Sequence, residues 1–259
     1  MRLGIAGGGR AAWAFGSAWR RIGWPIAGVW LRDESKSAIA ELLETPRRTL
    51  AELADRSELL LIAVSDRAIA EVAQQVPDTN AILFHASGSL TAIRGGFSLH
   101  PLRSLPPAGI ESDLKDALLV FEGNHRDIAQ RIANAIGARF ASIDPKQKAL
   151  YHAAAVFGSN YVAAVLDIAE RLMHRAGIED VREDLTGLAG SAIRNWSSHA
   201  GGDRFAQRLR FTGPAARGDR ATIEAHLAAL SKDPQLASAY ELLADYIRGC
   251  YDRFPVLEP

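Results

Sequence analysis

A chain of 259 residues with 48% hydrophobic content is long enough for one or two domains around a sizeable buried core. Thirty basic residues balance thirty acidic ones, so no global field draws the chain to nucleic acid or to an anionic membrane, and neither partner is expected. The single cysteine, Cys250, excludes an intramolecular disulfide and a cysteine-ligated metal cluster.

A short apolar strand opens the chain and runs into Gly7-x-Gly9-x-x-Ala12. Gly7 suits a tight turn, Gly9 a close approach of the backbone to a pyrophosphate, and Ala12 a helix lying close to the sheet. The helix that follows, through 13–19, would point its first amides at the phosphates, with Arg10 and Ala11 beside them. Because cleavage would destroy this strand, no signal peptide is read and a cytoplasmic location is expected.

Residues 25–31 read as a second buried strand, whose end selects between nicotinamide cofactors. An acidic residue there would hold the ribose 2′-hydroxyl of NAD; this chain has Leu31-Arg32-Asp33 with Lys36 a turn later. Arg32 pairs well with a 2′-phosphate, and Arg10 adds charge, so NADP is the expected cofactor. The same residues also fit a solvated loop start with Asp33 as helix N-cap.

Residues 58–64 form a strong apolar strand that ends at Val64, and Ser65-Asp66 fits the start of a helix near 67. A turn at Pro77-Asp78 leads to a strand over 81–85, then Ser87-Gly88, and Gly95-Gly96 leads to a strand over 97–101. Both deliver polar groups at carboxyl ends, where open α/β sheets bind ligands, which makes Val64, Ser65, Ser87 and Gly88 candidate cofactor contacts. Ser87 and Gly88 also fit a simple turn. Strands over 117–121 and 139–143 with a helix over 127–136 complete the sheet.

Beyond Asp144-Pro145 only helical periodicity remains. One long buried helix is predicted over 146–176, ended by Gly177, then helices over 189–197, 222–230 and 237–253. The predicted fold is a Rossmann-type, doubly wound, mostly parallel α/β sheet over 1–144, followed by an all-helical domain over 145–259. Substrate is expected between the two.

Four segments carry a family resemblance: 5–12, Ser98-Leu99-His100-Pro101-Leu102, 149–156 with Ser159-Asn160-Tyr161, and 209–219. Together they resemble bacterial Rossmann proteins that bear a helical C-terminal domain of unknown function, described as predicted NADP-dependent oxidoreductases. These are distantly similar to pyrroline-5-carboxylate reductase and to reductases named for coenzyme F420. Gly158-Ser159 sits about where pyrroline-5-carboxylate reductases carry Gly-Ser-Gly-Pro facing substrate, but Asn160-Tyr161 replaces the Gly-Pro, which argues against the same substrate. Thr212-Gly213-Pro214-Ala215-Ala216 stands near where they carry a carboxylate-holding Ser-Pro-Gly-Gly-Thr loop, and Arg217 is an additional acid-binding candidate. The resemblance also implies a homodimer.

Hydride transfer requires a group that handles the proton. His100, at a strand end and titrating near neutral pH, is the first candidate, though it also fits a histidine capping a loop. His152, four residues after Lys148 on one helix face, is the second; a satisfied polar core is its alternative. Asn160 and Ser159, polar groups in an apolar helix, need partners that a substrate or another helix could supply, and Asn160 is the third catalytic candidate. Thr212 and Arg217 are assigned to a substrate acid group. No spacing of the seven histidines suits zinc, so no metal is predicted. The expected function is an NADP-dependent reductase or dehydrogenase of a small, carboxylated carbonyl or imine compound; the alternative is an NADP-binding sensor without turnover.

Overall fold

The structure, a computed structural model, describes residues 1–33, 35, 37–198 and 210–252. Seven strands form one sheet: β1 (Leu3–Ala6), β2 (Ile26–Trp30), β3 (Leu59–Ile62), β4 (Ile82–His85), β5 (Phe97–Leu102), β6 (Leu118–Gly123) and β7 (Arg139–Ser142). Their order is β2-β1-β3-β4-β5-β6-β7. All neighbours pair in parallel except β5 and β6, which run antiparallel from Phe97↔Gly123 to Leu102↔Leu118.

The sheet is covered on both faces, which is why its strands read as continuous apolar runs. In β3, Leu59 and Leu61 join one cluster, with Phe15 and Trp19 of α1 (Arg10–Arg21) and Ile132 of α5 (Arg126–Ala135). Leu60 and Ile62 join the opposite one, with Leu53 of α3 (Leu50–Arg56) and Val72 of α4 (Asp66–Gln75). A short helix, α2 (Ala38–Leu42), follows β2. The first cluster holds a stacked pair, Phe84 and Phe97, with centroids 5.0 Å apart.

After a 3-10 turn at Pro145–Gln147 the described residues are helical: α6 (Lys148–Phe157), α7 (Asn160–Arg175), α8 (Arg182–Ser198), α9 (Pro214–Arg217), α10 (Arg220–Ala229) and α11 (Pro234–Asp252). The chain separates into two compact units, Met1–Tyr161 and Val162–Pro259.

Three expectations are corrected. The single helix over 146–176 is two helices, because the chain turns at Gly158-Ser159 and the Ser159 hydroxyl donates back to the Ala155 carbonyl at 2.6 Å. Its apolar face is open: Leu150 is 69% and Phe157 67% exposed. By length and composition alone, 145–175 is apolar enough to cross a membrane. The later helices start earlier than predicted, at Arg182, Arg220 and Pro234, because their polar first turns carry no apolar period. The predicted end of the last helix at 253 lies outside the described residues.

Candidate active site

The strand order places the carboxyl ends of β2, β1, β3, β4 and β5 side by side. Arg32, Gly7 to Gly9, Val64 with Ser65, Ser87 with Gly88, and His100 therefore follow one another along one edge of the sheet. Open α/β sheets bind their ligands at this edge.

At β1 the glycine loop is fixed from below. Gly7 has φ +133°, its amide donates to the Trp30 carbonyl at 2.8 Å, and a Cβ on it would run into the Ala63 carbonyl. Only glycine fits there. Gly9 differs: its φ is −88° and a Cβ would meet nothing closer than the Ala63 carbonyl at 3.9 Å. Packing does not demand this glycine, whereas a phosphate resting on the backbone would. Gly9 begins α1, whose end has no side-chain cap and no acid in its first turn, so its positive pole is left for an external anion. Ala12 is fully buried against the sheet, Ala11 is half-buried and Arg10 is exposed. Arg32 is exposed just past β2; Asp33 Oδ1 accepts from the Ser35 amide at 3.0 Å and its hydroxyl at 2.6 Å. Lys36 lies outside the described residues.

The β3 and β4 ends are tied together. Ser87 Oγ donates to Asp66 Oδ2 at 2.7 Å and accepts from the Leu90 amide at 3.1 Å. Below it, His85 is fully buried, with Nδ1 accepting from the Ser87 amide at 3.2 Å and Nε2 donating to the Thr91 carbonyl at 2.9 Å. Burial holds His85 below the usual histidine range, so it is a neutral structural support.

His100 and His152 converge on Gly88 from β5 and α6. A Cβ on Gly88 would stand 2.5 Å from His152 Nδ1 and 3.1 Å from His100 Nε2, so a side chain there would displace both rings. His152 Nδ1 is buried and has no hydrogen-bond partner, an orphan of the kind a ligand completes. His100 Nδ1 is 2.6 Å from the Tyr151 hydroxyl. Burial, then His152 and Lys148, lower the His100 pKa to about 4, and burial raises that of Tyr151 to about 12. His100 is thus a neutral imidazole at pH 7, and the expectation that it titrates near neutrality does not hold.

Behind this pair lies a cluster that sequence reasoning missed. Lys148, 2% exposed, donates to Ser98 Oγ at 2.6 Å and to the Ser87 carbonyl at 3.4 Å, and its ammonium is 3.9 Å from Glu122. Glu122 accepts from the Ala92 amide at 2.7 Å. Burial lowers the Lys148 pKa, opposed by Glu122 and Asp66. The one sequence signal was a cation at the start of an apolar helix, a turn before His152. Tyr151, which was not among the candidates, is a direct partner of His100.

The remaining candidates stand apart from this cluster in their bonding. Ser159 satisfies its hydroxyl within α6, with Asn160 Oδ1 3.1 Å away, and Asn160 is an exposed first residue of α7. Thr212 and Arg217 belong to the second unit, both exposed, either side of Gly213 at φ +95°. Among the described residues no group of three or more histidine, cysteine or acidic side chains is placed to hold a metal.

The domain of unknown function DUF2520 matches residues 118–247, and a Rossmann-like domain matches 1–102. No curated protein matches the chain. Among solved structures, a putative NADP oxidoreductase from Bacteroides fragilis is 24% identical, with TM-score 0.78 over 96% of this chain and 98% of its own. A protein from Thermotoga maritima is also 24% identical, with TM-score 0.80 over 96% and 98%. The 1-pyrroline-5-carboxylate reductase of Streptococcus pyogenes is 14% identical, with TM-score 0.65 over 96% and 98%. These likenesses establish a shared fold across nearly the whole chain.

Proposed function

Since the chain belongs to the DUF2520 family, with a Rossmann-like domain ahead of that domain, we propose that it is a cytoplasmic NADP-dependent oxidoreductase of a small, carboxylated carbonyl or imine compound. The observation that carries this reading is the row of strand ends running from Arg32 through the uncapped glycine loop to the His100–His152 pair at Gly88. The names of two fold relatives, an NADP oxidoreductase and a reductase of a cyclic imine acid, support the same class. We take 1–144 as the nucleotide-binding domain and 145–259 as the helical domain.

The backbone of Gly7, Gly9, Arg10, Ala11 and Ala12 holds the pyrophosphate, and Arg32, with Arg10, pairs with the 2′-phosphate. Val64, Ser65, Ser87 and Gly88 line the nicotinamide side. Bound there, the cofactor supplies or accepts the hydride. With Tyr151 donating to Nδ1, the neutral His100 ring carries its proton on Nε2, on the Gly88 side, and donates it as a hydrogen bond to the substrate oxygen or nitrogen. A neutral imidazole polarises a carbonyl without the cost of burying a cation. His152 Nδ1 offers the second contact to the same atom, while Asn160 and Ser159 orient the substrate. Thr212 and Arg217 bind its acid group.

A sensor that binds NADP without turnover remains a second reading, favoured by one observation: Lys148 is buried and engaged with Ser98 and Glu122. Fluorescence titration with NADPH and NADH, followed by a panel of carbonyl and imine acids, tests both. NADPH binding preferred by about tenfold or more and lost in Arg32→Ala is expected from a bidentate phosphate contact. Turnover abolished by His100→Ala supports the enzyme; NADPH binding with no oxidation across the panel favours the sensor. Unchanged melting in millimolar NADPH excludes both, since a specific ligand stabilises the native state.

A further inference from the structure

We propose that the second unit carries a built anion site, lined by Arg217, Arg220 and Arg248, for a small molecule bearing an oxyanion group with at least two negative charges. The proposal deepens the assignment of Arg217 to an acid group, and it rests on that assignment only for the ligand being the substrate.

A cavity of about 560 Å³ opens between α9, the first turn of α10 and the last turns of α11. That volume lies within the range of small-molecule sites. Its lining includes Ala215, Ala216, Gly218 and Gly249, and a Cβ on either glycine would meet nothing within 4 Å. Small residues here leave the space open, with three guanidinium groups around it. Ala215 also packs on Ile223 and Ala244, so the lining is anchored to the unit's own core.

Charge in the cavity is not balanced. Three arginines face one acid, Asp245, which is paired with Arg248. The other nearby carboxylate, Asp219, is turned to the helix start: Oδ1 accepts from the Thr222 amide at 3.1 Å and Oδ2 from the Thr222 hydroxyl at 2.7 Å. Arg217 also acts on Asp219, helping to hold that carboxylate below its usual range, whereas among the described residues Arg220 makes no salt bridge. Between them Gly218, at φ +69°, and the capping Asp219 form a tight turn that brings the two arginines to one end of the cavity. An excess of arginine over carboxylate around one cavity suits an oxyanion that takes several charge-assisted hydrogen bonds at once.

Calorimetric titration of the full chain with sodium pyrophosphate, and separately with citrate, tests the site against sodium chloride of matched ionic strength. Saturable binding of one anion per chain, beyond any taken up by the glycine loop and still present with NADPH bound, is expected. It should weaken about tenfold or more in Arg220→Gln and in Gly249→Glu. Replacing a helical glycine by glutamate favours folding, so the second variant keeps the test open if the first is poorly behaved. The stronger of the two anions identifies the group as phosphate or polycarboxylate. No saturable binding of either, or affinities unchanged in both variants, overturns the proposal. NADPH fluorescence on the same samples separates the two readings: NADPH binding without anion binding removes this site alone, and the reverse removes the redox reading alone.

Discussion

The Tyr151 hydroxyl and His100 Nδ1 are 2.6 Å apart, joining α6 to the carboxyl end of β5. Because burial depresses the histidine and raises the phenol, both partners are neutral across the physiological range. The bond therefore fixes a tautomer and a ring orientation and stores no charge. In the proposed reaction, His100 would act as a neutral imidazole.

The same burial makes stability depend on pH. An unfolded histidine titrates at about 6.5, while native His100 titrates at about 4, so between these values the unfolded chain holds a proton that the native one lacks. Stability is then flat above pH 6.5 and falls as pH drops through the window, by about 2 kcal/mol at pH 5. His85, shifted in the same direction, adds to the fall. Urea midpoints at pH 7 and pH 5 measure it, and His100→Gln should remove much of the difference. A wild-type midpoint that does not move would show that His100 is not held neutral.

Lys148 and Glu122 are both buried, so each leaves the other uncompensated when removed. Lys148→Met is expected to destabilise the fold by about 3–5 kcal/mol, the usual cost of stranding a buried charge. Adding Glu122→Gln should recover most of that loss, since two neutral groups need no partner charge. Equilibrium urea unfolding of the single and double variants gives the coupling. Equal losses that simply add would mean the pair does not interact.

The sheet was legible because strands covered on both faces leave continuous apolar runs, as in Leu59-Leu60-Leu61-Ile62. Once the strands were placed, their carboxyl ends picked out Ser87, Gly88 and His100 without further information. Lys148 was not legible, because a cation at a helix start normally belongs to solvent; its burial comes from Glu122 and Ser98, on strands distant in sequence. Tyr151 was missed for a related reason, since an aromatic at helical spacing reads as packing until its hydroxyl is seen on His100. The turn at Gly158 was hidden because its backbone stays in the right-handed helical region, so nothing local marks a stop. Apolar composition in α6 was read as burial, but composition alone does not say what covers a face.

Two glycines in the opening loop should respond differently to the same substitution. At Gly7 an alanine Cβ would clash with the Ala63 carbonyl from a backbone at φ +133°, so Gly7→Ala is expected to cost about 2 kcal/mol or more in stability. Gly9→Ala meets no obstacle within the protein and should leave the melting temperature nearly unchanged. It should instead weaken NADPH by about tenfold or more, because the methyl group occupies the space of the pyrophosphate. Thermal melting and fluorescence titration on both variants separate the effects. Wild-type affinity in Gly9→Ala would remove the pyrophosphate from this loop.

The open apolar face of α6 leads to the last expectation. Leu150 and Phe157 are 69% and 67% exposed, and Tyr161 packs edge-on against Phe157 at 5.0 Å. A face of this kind on a single chain is costly in water, and a second copy of the chain is the partner we assign to it. A stable dimer needs about 800 Å² from each partner. Sedimentation at micromolar concentration should give a dimer, and Phe157→Asp should shift it to monomer by placing a charge in the apolar contact. Because Phe157 is exposed in the single chain, the variant should keep its secondary structure, so loss of association without loss of helix is the diagnostic result. A wild-type monomer at that concentration would leave the face to some other partner.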